Sequence, residues 1–204
     1  MKLYYSPGAC SLSPHIVLLE SGLAFEAVLA STKTHRLADG TDYYTINPKG
    51  CVPLLELDDG ERLSEGPAIV QWIADQVPEK KLAPTAGTMA RYRLAEWLNF
   101  ISTELHKNYS PLFTPGMPDE AKALFRSKLL GRFGHVDQAL ANQPYLLGED
   151  FGVADAYLFV VSGWARHVGV DLSGFAHLAR FVERVGARPA VQQAMRAEGL
   201  IRGG

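Results

Sequence analysis

Apolar and polar positions alternate over short stretches in the first third of the chain and fall at helical spacing over most of the rest. Residues 2–5 (KLYY), 25–30 (FEAVLA) and 52–57 (VPLLEL) are short runs rich in strand formers and predict β-strands. Asp59-Gly60 stands between two short extended runs, Leu57 to Leu63, and predicts a hairpin. Helices are predicted over about 11–22 and 65–76. In the first, Ile16, Leu19 and Leu23 recur at helical spacing and Gly22 is placed to end it. The first 77 residues thus read β-α-β, an irregular stretch, then β-β-α.

The segment VPEKKLAPTAG, Val77 to Gly87, breaks this pattern with two prolines, a charge cluster and a glycine. Beyond it strand signals fade, and helices are predicted over about 88–108, 119–142, 153–168, 175–186 and 188–197. Pro118, Pro144 and Pro189 stand near starts or breaks, where a missing N–H does least damage. The expected organisation is an α/β domain over 1–77, a linker over 78–87 and an all-helical domain over 88–204.

Composition narrows the function. A chain of 204 residues that is 47% hydrophobic can bury a sizeable core, and its length suits one domain or two. A net charge of −2 gives no global reason to expect nucleic acid or an anionic membrane as partner. Cys10 and Cys51 are too few for a disulfide framework, and no Cys/His cluster has zinc spacing. No basic-then-apolar leader precedes Leu3, and no run approaches the roughly 20 apolar residues of a membrane span. The expected location is a reducing cytoplasm, where a cysteine is more often reactive or buried than bridged.

Chemistry concentrates in three segments. In KLYYSPGACSLSPH a cysteine stands where the first helix should open. Unsatisfied N–H groups and the macrodipole at a helix start stabilise negative charge, so the Cys10 thiol is expected to be acidified. Ser11 and Ser13 add hydroxyls close by. The spacing C-S-L-S is a CxxC pattern with serine in place of the second cysteine, which leaves nothing local to resolve a mixed disulfide. The alternative is a buried structural cysteine.

In NPKGCVPLLEL, Pro53 stands at the entrance to a strand. An ordinary trans bond at an edge and a cis bond that turns backbone N–H and C=O toward a peptide ligand are both open at this point. In LSEGPAIVQWIADQ, Ser64-Glu65-Gly66-Pro67 reads as a helix start. Its N–H groups suit a carboxylate and Glu65 an ammonium, although plain capping explains the same residues.

Taken in this order and at these separations, the segments resemble the cytosolic glutathione transferases, and within them the bacterial beta class. EWLNFISTELHK and LLGEDFGVADAYLF extend the resemblance over essentially the whole chain. It implies a thioredoxin-like N-terminal domain joined to an all-α domain, assembled as a homodimer. It also implies a cis Pro53, with glutathione as co-substrate lying along the edge of the 54–57 strand and no resident cofactor. Cys10 and His106 would be catalytic, with Cys10 at the glutathione sulfur. Val52 would pair with the cysteinyl backbone, and Glu65 and Gly66 would hold the γ-glutamyl end. Tyr5, Ser11, His35 and Cys51 would complete the N-terminal share of the glutathione site. Asn99, Thr103 and Lys107 would join from the helical domain. Asn99 and His106 are expected on one helix face with Thr103 beside them.

The chain departs from the pattern at three positions: Gly66 where the superfamily usually has serine, His35 where lysine is common, and Gly152 at a helix N-cap. Asp155 is expected to accept from the Gly152 N–H, so that helix should still form. Cys51 is an addition, either structural or able to join redox chemistry with Cys10.

The expected activity is conjugation of glutathione thiolate to small hydrophobic electrophiles, held between the domains against Tyr109, Phe113, Trp164 and His167. The alternatives are a glutathione-dependent thiol–disulfide oxidoreductase or reductive dehalogenase using Cys10, and a non-enzymatic ligand-binding protein.

Overall fold

The computed structural model describes residues 1–202. The chain forms two compact units: Met1–Ala83 together with the chain from Ala187 onward, and Pro84–Gly186.

The first unit is built on four strands, β1 (Lys2–Tyr5), β2 (Glu26–Leu29), β3 (Leu54–Glu56) and β4 (Arg62–Ser64), in the order β2-β1-β3-β4. β1 and β2 are parallel, joined through α1 (Leu12–Ser21); β3 runs antiparallel to both β1 and β4. Leu3 pairs with Leu55 and Leu55 with Leu63, so one apolar row crosses the sheet. Leu3 and Leu55 are fully buried. The β3–β4 hairpin turns at Asp59-Gly60, with Leu57 N–H on the Glu61 carbonyl at 2.8 Å.

α1 is buried on every side from Leu12 to Leu18 because it packs between α2 (Gly66–Gln76) and α8 (Pro189–Ala197). Gly22 ends it in the left-handed conformation, its N–H returning to the Leu18 carbonyl.

The sequence division runs the second domain to residue 204, whereas α8 belongs with the sheet unit; Gly203 and Gly204 lie outside the described residues. The reason is side-chain chemistry across the length of the chain. Arg188 grips the Glu20 carboxylate at 2.6 and 3.0 Å. Buried Glu198 bonds His15 Nδ1 at 2.8 Å with one oxygen and accepts the Gly8 N–H at 2.9 Å with the other.

The second unit holds α3 (Met89–Phe100), a π-helical stretch (Ile101–His106), α4 (Lys107–Phe113), α5 (Asp119–Ala139), α6 (Val153–Gly163) and α7 (Ala176–Gly186). Asp155 Oδ2 accepts the Gly152 N–H at 2.8 Å while Oδ1 takes Leu146 N–H at 2.9 Å, so the glycine-capped helix does form. The start of α7 is capped from α5, where Asp137 Oδ1 accepts from His177 and Leu178, both at 2.8 Å. The helix predicted over 88–108 instead runs to residue 113 through Pro111, and its middle switches to the i→i+5 pattern.

Candidate glutathione site

β1 ends at Tyr5, and the turn from Ser6 to Ala9 delivers Cys10 one residue ahead of Ser11, the N-cap of α1. The Ser11 hydroxyl is wholly buried, donates to the Ser6 carbonyl at 3.2 Å and accepts the Ser6 N–H at 3.1 Å. It therefore braces the turn, with its one O–H donor committed to Ser6. The Ser13 hydroxyl is buried without a partner among the described residues.

Cys10 keeps partial access to solvent, and its thiol donates to the Val52 carbonyl at 3.3 Å. Burial pushes this thiol from about 9 up to about 12. The N–H groups of Cys10 and Ser11 act in the acidifying direction, as the helix start requires, but dense packing around Sγ outweighs them. The nearby Cys51 thiol and Glu65 carboxylate oppose ionisation further. The expected acidified thiol is thus corrected to a neutral hydrogen-bond donor.

The Val52–Pro53 bond is cis. β3 bonds β1 on one side and β4 on the other, so it is not the sheet edge that the sequence suggests. Just before it, Tyr43 Oη and Asn47 Nδ2 both donate to the Cys51 carbonyl, at 3.0 and 2.7 Å, and fix the segment leading into Val52. The Cys51 thiol is exposed and donates to the Lys49 carbonyl at 3.3 Å.

His35 donates from Nδ1 to the Gly50 carbonyl at 3.1 Å and lies 4.7 Å from the Tyr44 ring. A carbonyl only accepts, so the neutral ring presents Nε2 as an acceptor; only the imidazolium can pair with a carboxylate there.

Gly50 suits its place in the turn. Its φ is +64°, and a Cβ would lie 2.5 Å from Tyr44 Cε1. Gly50→Ala is expected to cost about 1–2 kcal/mol, the left-handed strain, while the exposed Tyr44 ring turns aside. Thermal denaturation checks this, and an unchanged midpoint would refute it.

Glu65, at the start of α2, has φ +71°, an unfavourable value for a residue with a side chain, while its carbonyl accepts from Ala68 and Ile69, both at 3.0 Å. Its carboxylate meets Lys49 Nζ at 2.9 Å, and the same ammonium reaches Ser64 Oγ at 3.0 Å. Lys49 stands inside the NPKGCVP segment but has no role in the sequence reading. A Cβ on Gly66 would meet Pro53 Cγ at an ordinary 3.9 Å, so the serine usual at this position would fit. Tyr5 is half-buried at the end of β1, its ring 5.7 Å from His15.

In the helical unit, His106 Nδ1 bonds Tyr157 Oη at 2.6 Å and its ring packs edge-on to Trp164 at 4.8 Å. Tyr109 and Phe113 stack on each other and both pack edge-on against Trp164. Tyr109 is buried with its hydroxyl unpartnered among the described residues, and burial pushes that phenol well above its ordinary range. His167 stands apart from these contacts, exposed at the surface, its Nε2 accepting from Arg166 at 3.2 Å.

Asn99, Thr103 and Lys107 are exposed. Thr103 donates to the Asn99 carbonyl at 3.0 Å and lines an open polar groove of about 600 Å³ that also includes Glu104, Lys128 and Arg132. Asn99 lies in α3 and His106 closes the i→i+5 stretch; Asn99 is exposed and His106 half-buried.

Among the described residues no cluster of His, Cys, Asp and Glu could hold a metal ion, and no helix is long and apolar enough to cross a membrane.

Residues 8–76 match the family described as glutathione S-transferase, N-terminal domain, and residues 100–189 match its C-terminal domain. The chain is 48% identical to glutathione S-transferase GstA of Escherichia coli O157:H7, covering 98% of this chain and 100% of that protein. The ternary complex of BphK, a bacterial glutathione transferase, superposes with a TM-score of 0.96 at 58% identity, covering 98% and 100% of the two chains. The beta-class enzyme of Sphingomonas chungbukensis gives a TM-score of 0.95 at 48% identity, with the same coverage. The chain belongs to the glutathione S-transferase family, with structural neighbours in its bacterial beta class.

Proposed function

We propose that this glutathione transferase binds glutathione against the Cys10–Val52 and Ser64–Gly66 segments and conjugates its sulfur to small hydrophobic electrophiles, with Cys10 as donor and not as nucleophile. The observation that carries this reading is the Cys10 thiol placed on the Val52 carbonyl at 3.3 Å, in a setting where burial favours its neutral form. When the cysteinyl N–H of glutathione takes that carbonyl, the Cys10 S–H is released to donate to the glutathione sulfur. A donor there favours the thiolate, which is the reacting species.

Glu65 receives the γ-glutamyl ammonium, and the Gly66 N–H its carboxylate. His35 meets the glycine carboxylate when its ring is charged. The surface formed by Tyr109, Phe113 and Trp164 takes the electrophile, and its flat rings suit aromatic acceptors. Glutathione enters as co-substrate. Two unpaired cysteines, Cys10 and Cys51, suit a reducing cytoplasm. We also assign a homodimer, supported by the exposed Met89 and Tyr92, one turn apart on α3.

Thiol–disulfide exchange at Cys10 would need a reactive thiolate, which burial opposes. The test is the rate of glutathione addition to a chloronitrobenzene for wild type and Cys10→Ala. Conjugation is expected to survive, reduced by about tenfold or less, the worth of one weak S–H donor. Loss to background would overturn the donor role and point to covalent catalysis.

A further inference from the structure

The turn ahead of Pro53 carries a cation that none of the roles above uses. Lys49 is fixed by its own backbone: its N–H donates to Asn47 Oδ1 at 3.2 Å and its carbonyl accepts the Cys51 thiol at 3.3 Å. Gly50 N–H closes the turn on the Asn47 carbonyl at 2.8 Å. From this base the ammonium reaches Ser64 Oγ at 3.0 Å and Glu65 Oε1 at 2.9 Å. Glu65 holds its left-handed conformation at that point, a strain that residues retain where the surrounding structure over-determines it.

We propose that Lys49 is an internal stand-in for the ligand's α-ammonium, occupying the Ser64–Glu65 acceptors in the free protein and setting selectivity between glutathione and ligands without an α-amino group. The proposal rests on the assignment of Glu65 to the γ-glutamyl end. A lysine ammonium and an α-ammonium are both compact, three-donor cations, so they want the same carboxylate and repel each other beside it. The α-ammonium of glutathione competes with Lys49 for that carboxylate. A ligand lacking the amino group leaves Lys49 in place, and Glu65 stays neutralised. Without Lys49 that ligand would lie beside an uncompensated carboxylate. The pair is 57% and 69% exposed at its two side chains, so the exchange is mild and screened by salt.

The experiment is calorimetric titration of the full-length protein at low salt with glutathione and with its desamino analogue, glutaryl-cysteinylglycine. Wild type, Lys49→Gln and Glu65→Gln are compared, each checked for folding by circular dichroism. Lys49→Gln is expected to tighten glutathione roughly two- to fivefold, the range of an exposed ion pair. It should leave the analogue unchanged or weaker, so that discrimination between the two ligands rises, and the gain should fade as salt is added. Glu65→Gln should weaken glutathione more than the analogue. Weaker or unchanged glutathione binding in Lys49→Gln, with Glu65→Gln behaving as expected, overturns the stand-in role alone. Unchanged glutathione binding in Glu65→Gln overturns the assignment of Glu65 itself.

Discussion

Glu198→Ala is expected to destabilise the protein by about 3–5 kcal/mol, the cost of breaking a buried polar pair by removing one partner. At this chain length that lowers the melting temperature by about 10 °C. Both oxygens of Glu198 are committed: one meets His15 Nδ1 at 2.8 Å, the other accepts the Gly8 N–H at 2.9 Å. The Glu198 side chain is 0% exposed and that of His15 3%, so water cannot replace either bond without entering the core. His15 is further enclosed by the rings of Tyr5 and Phe25. The alanine variant therefore removes the carboxylate bonds of an imidazole nitrogen and of the Gly8 N–H inside the sheet unit. Glu198→Gln keeps the shape and one carbonyl oxygen, and should lose about 1–3 kcal/mol. Thermal denaturation followed by circular dichroism checks both. A drop below about 2 °C for the alanine variant would show that the pair contributes little. Gly8 lies two residues before Cys10, so the loss also touches the turn that carries the thiol.

This pair also marks where the sequence stops being informative. The strands, the Asp59-Gly60 hairpin and the Gly22 helix end are local events, written in alternation and in turn residues, and they are legible for that reason. The periodicity of α8 shows that it buries Val191 and Ala194, but not against which neighbour. That is decided by Arg188 and Glu198, whose partners Glu20 and His15 lie 168 and 183 residues away. The π-helical stretch is equally silent, since no residue in ISTELH demands it, and it ends at His106, which bonds Tyr157. Lys49 is visible in the sequence only as a turn residue. Its meaning depends on Glu65 being folded back beside it. Cys10 illustrates both sides. Its place at a helix start is local and readable, and the N–H groups act as expected; burial in the folded chain overrides them.

That override yields the second large effect. In a Cys51→Ser background, alkylation of Cys10 by iodoacetamide is expected to be about a hundredfold slower near pH 7.5 than that of a free thiol. The sign follows from the direction of the shift: burial raises the thiol to about 12, so the thiolate fraction at neutral pH falls. Against an ordinary value of about 8.5, the population drops by about three and a half orders of magnitude. The more basic thiolate is intrinsically more nucleophilic, with a Brønsted slope of about 0.4–0.5, which restores roughly half of that loss on a logarithmic scale. The rate should then climb about tenfold per pH unit between pH 7 and 9.5 without levelling, because the midpoint lies far above this window. A plateau with a midpoint near 7 would mean that the helix N–H groups prevail over burial. Cys10 would then be a nucleophile at working pH, and thiol–disulfide exchange would replace hydrogen-bond donation as its role. A rate that climbs without a plateau leaves the glutathione sulfur as the nucleophile, and makes the Cys10 proton, not its lone pair, the part of the residue that the reaction uses.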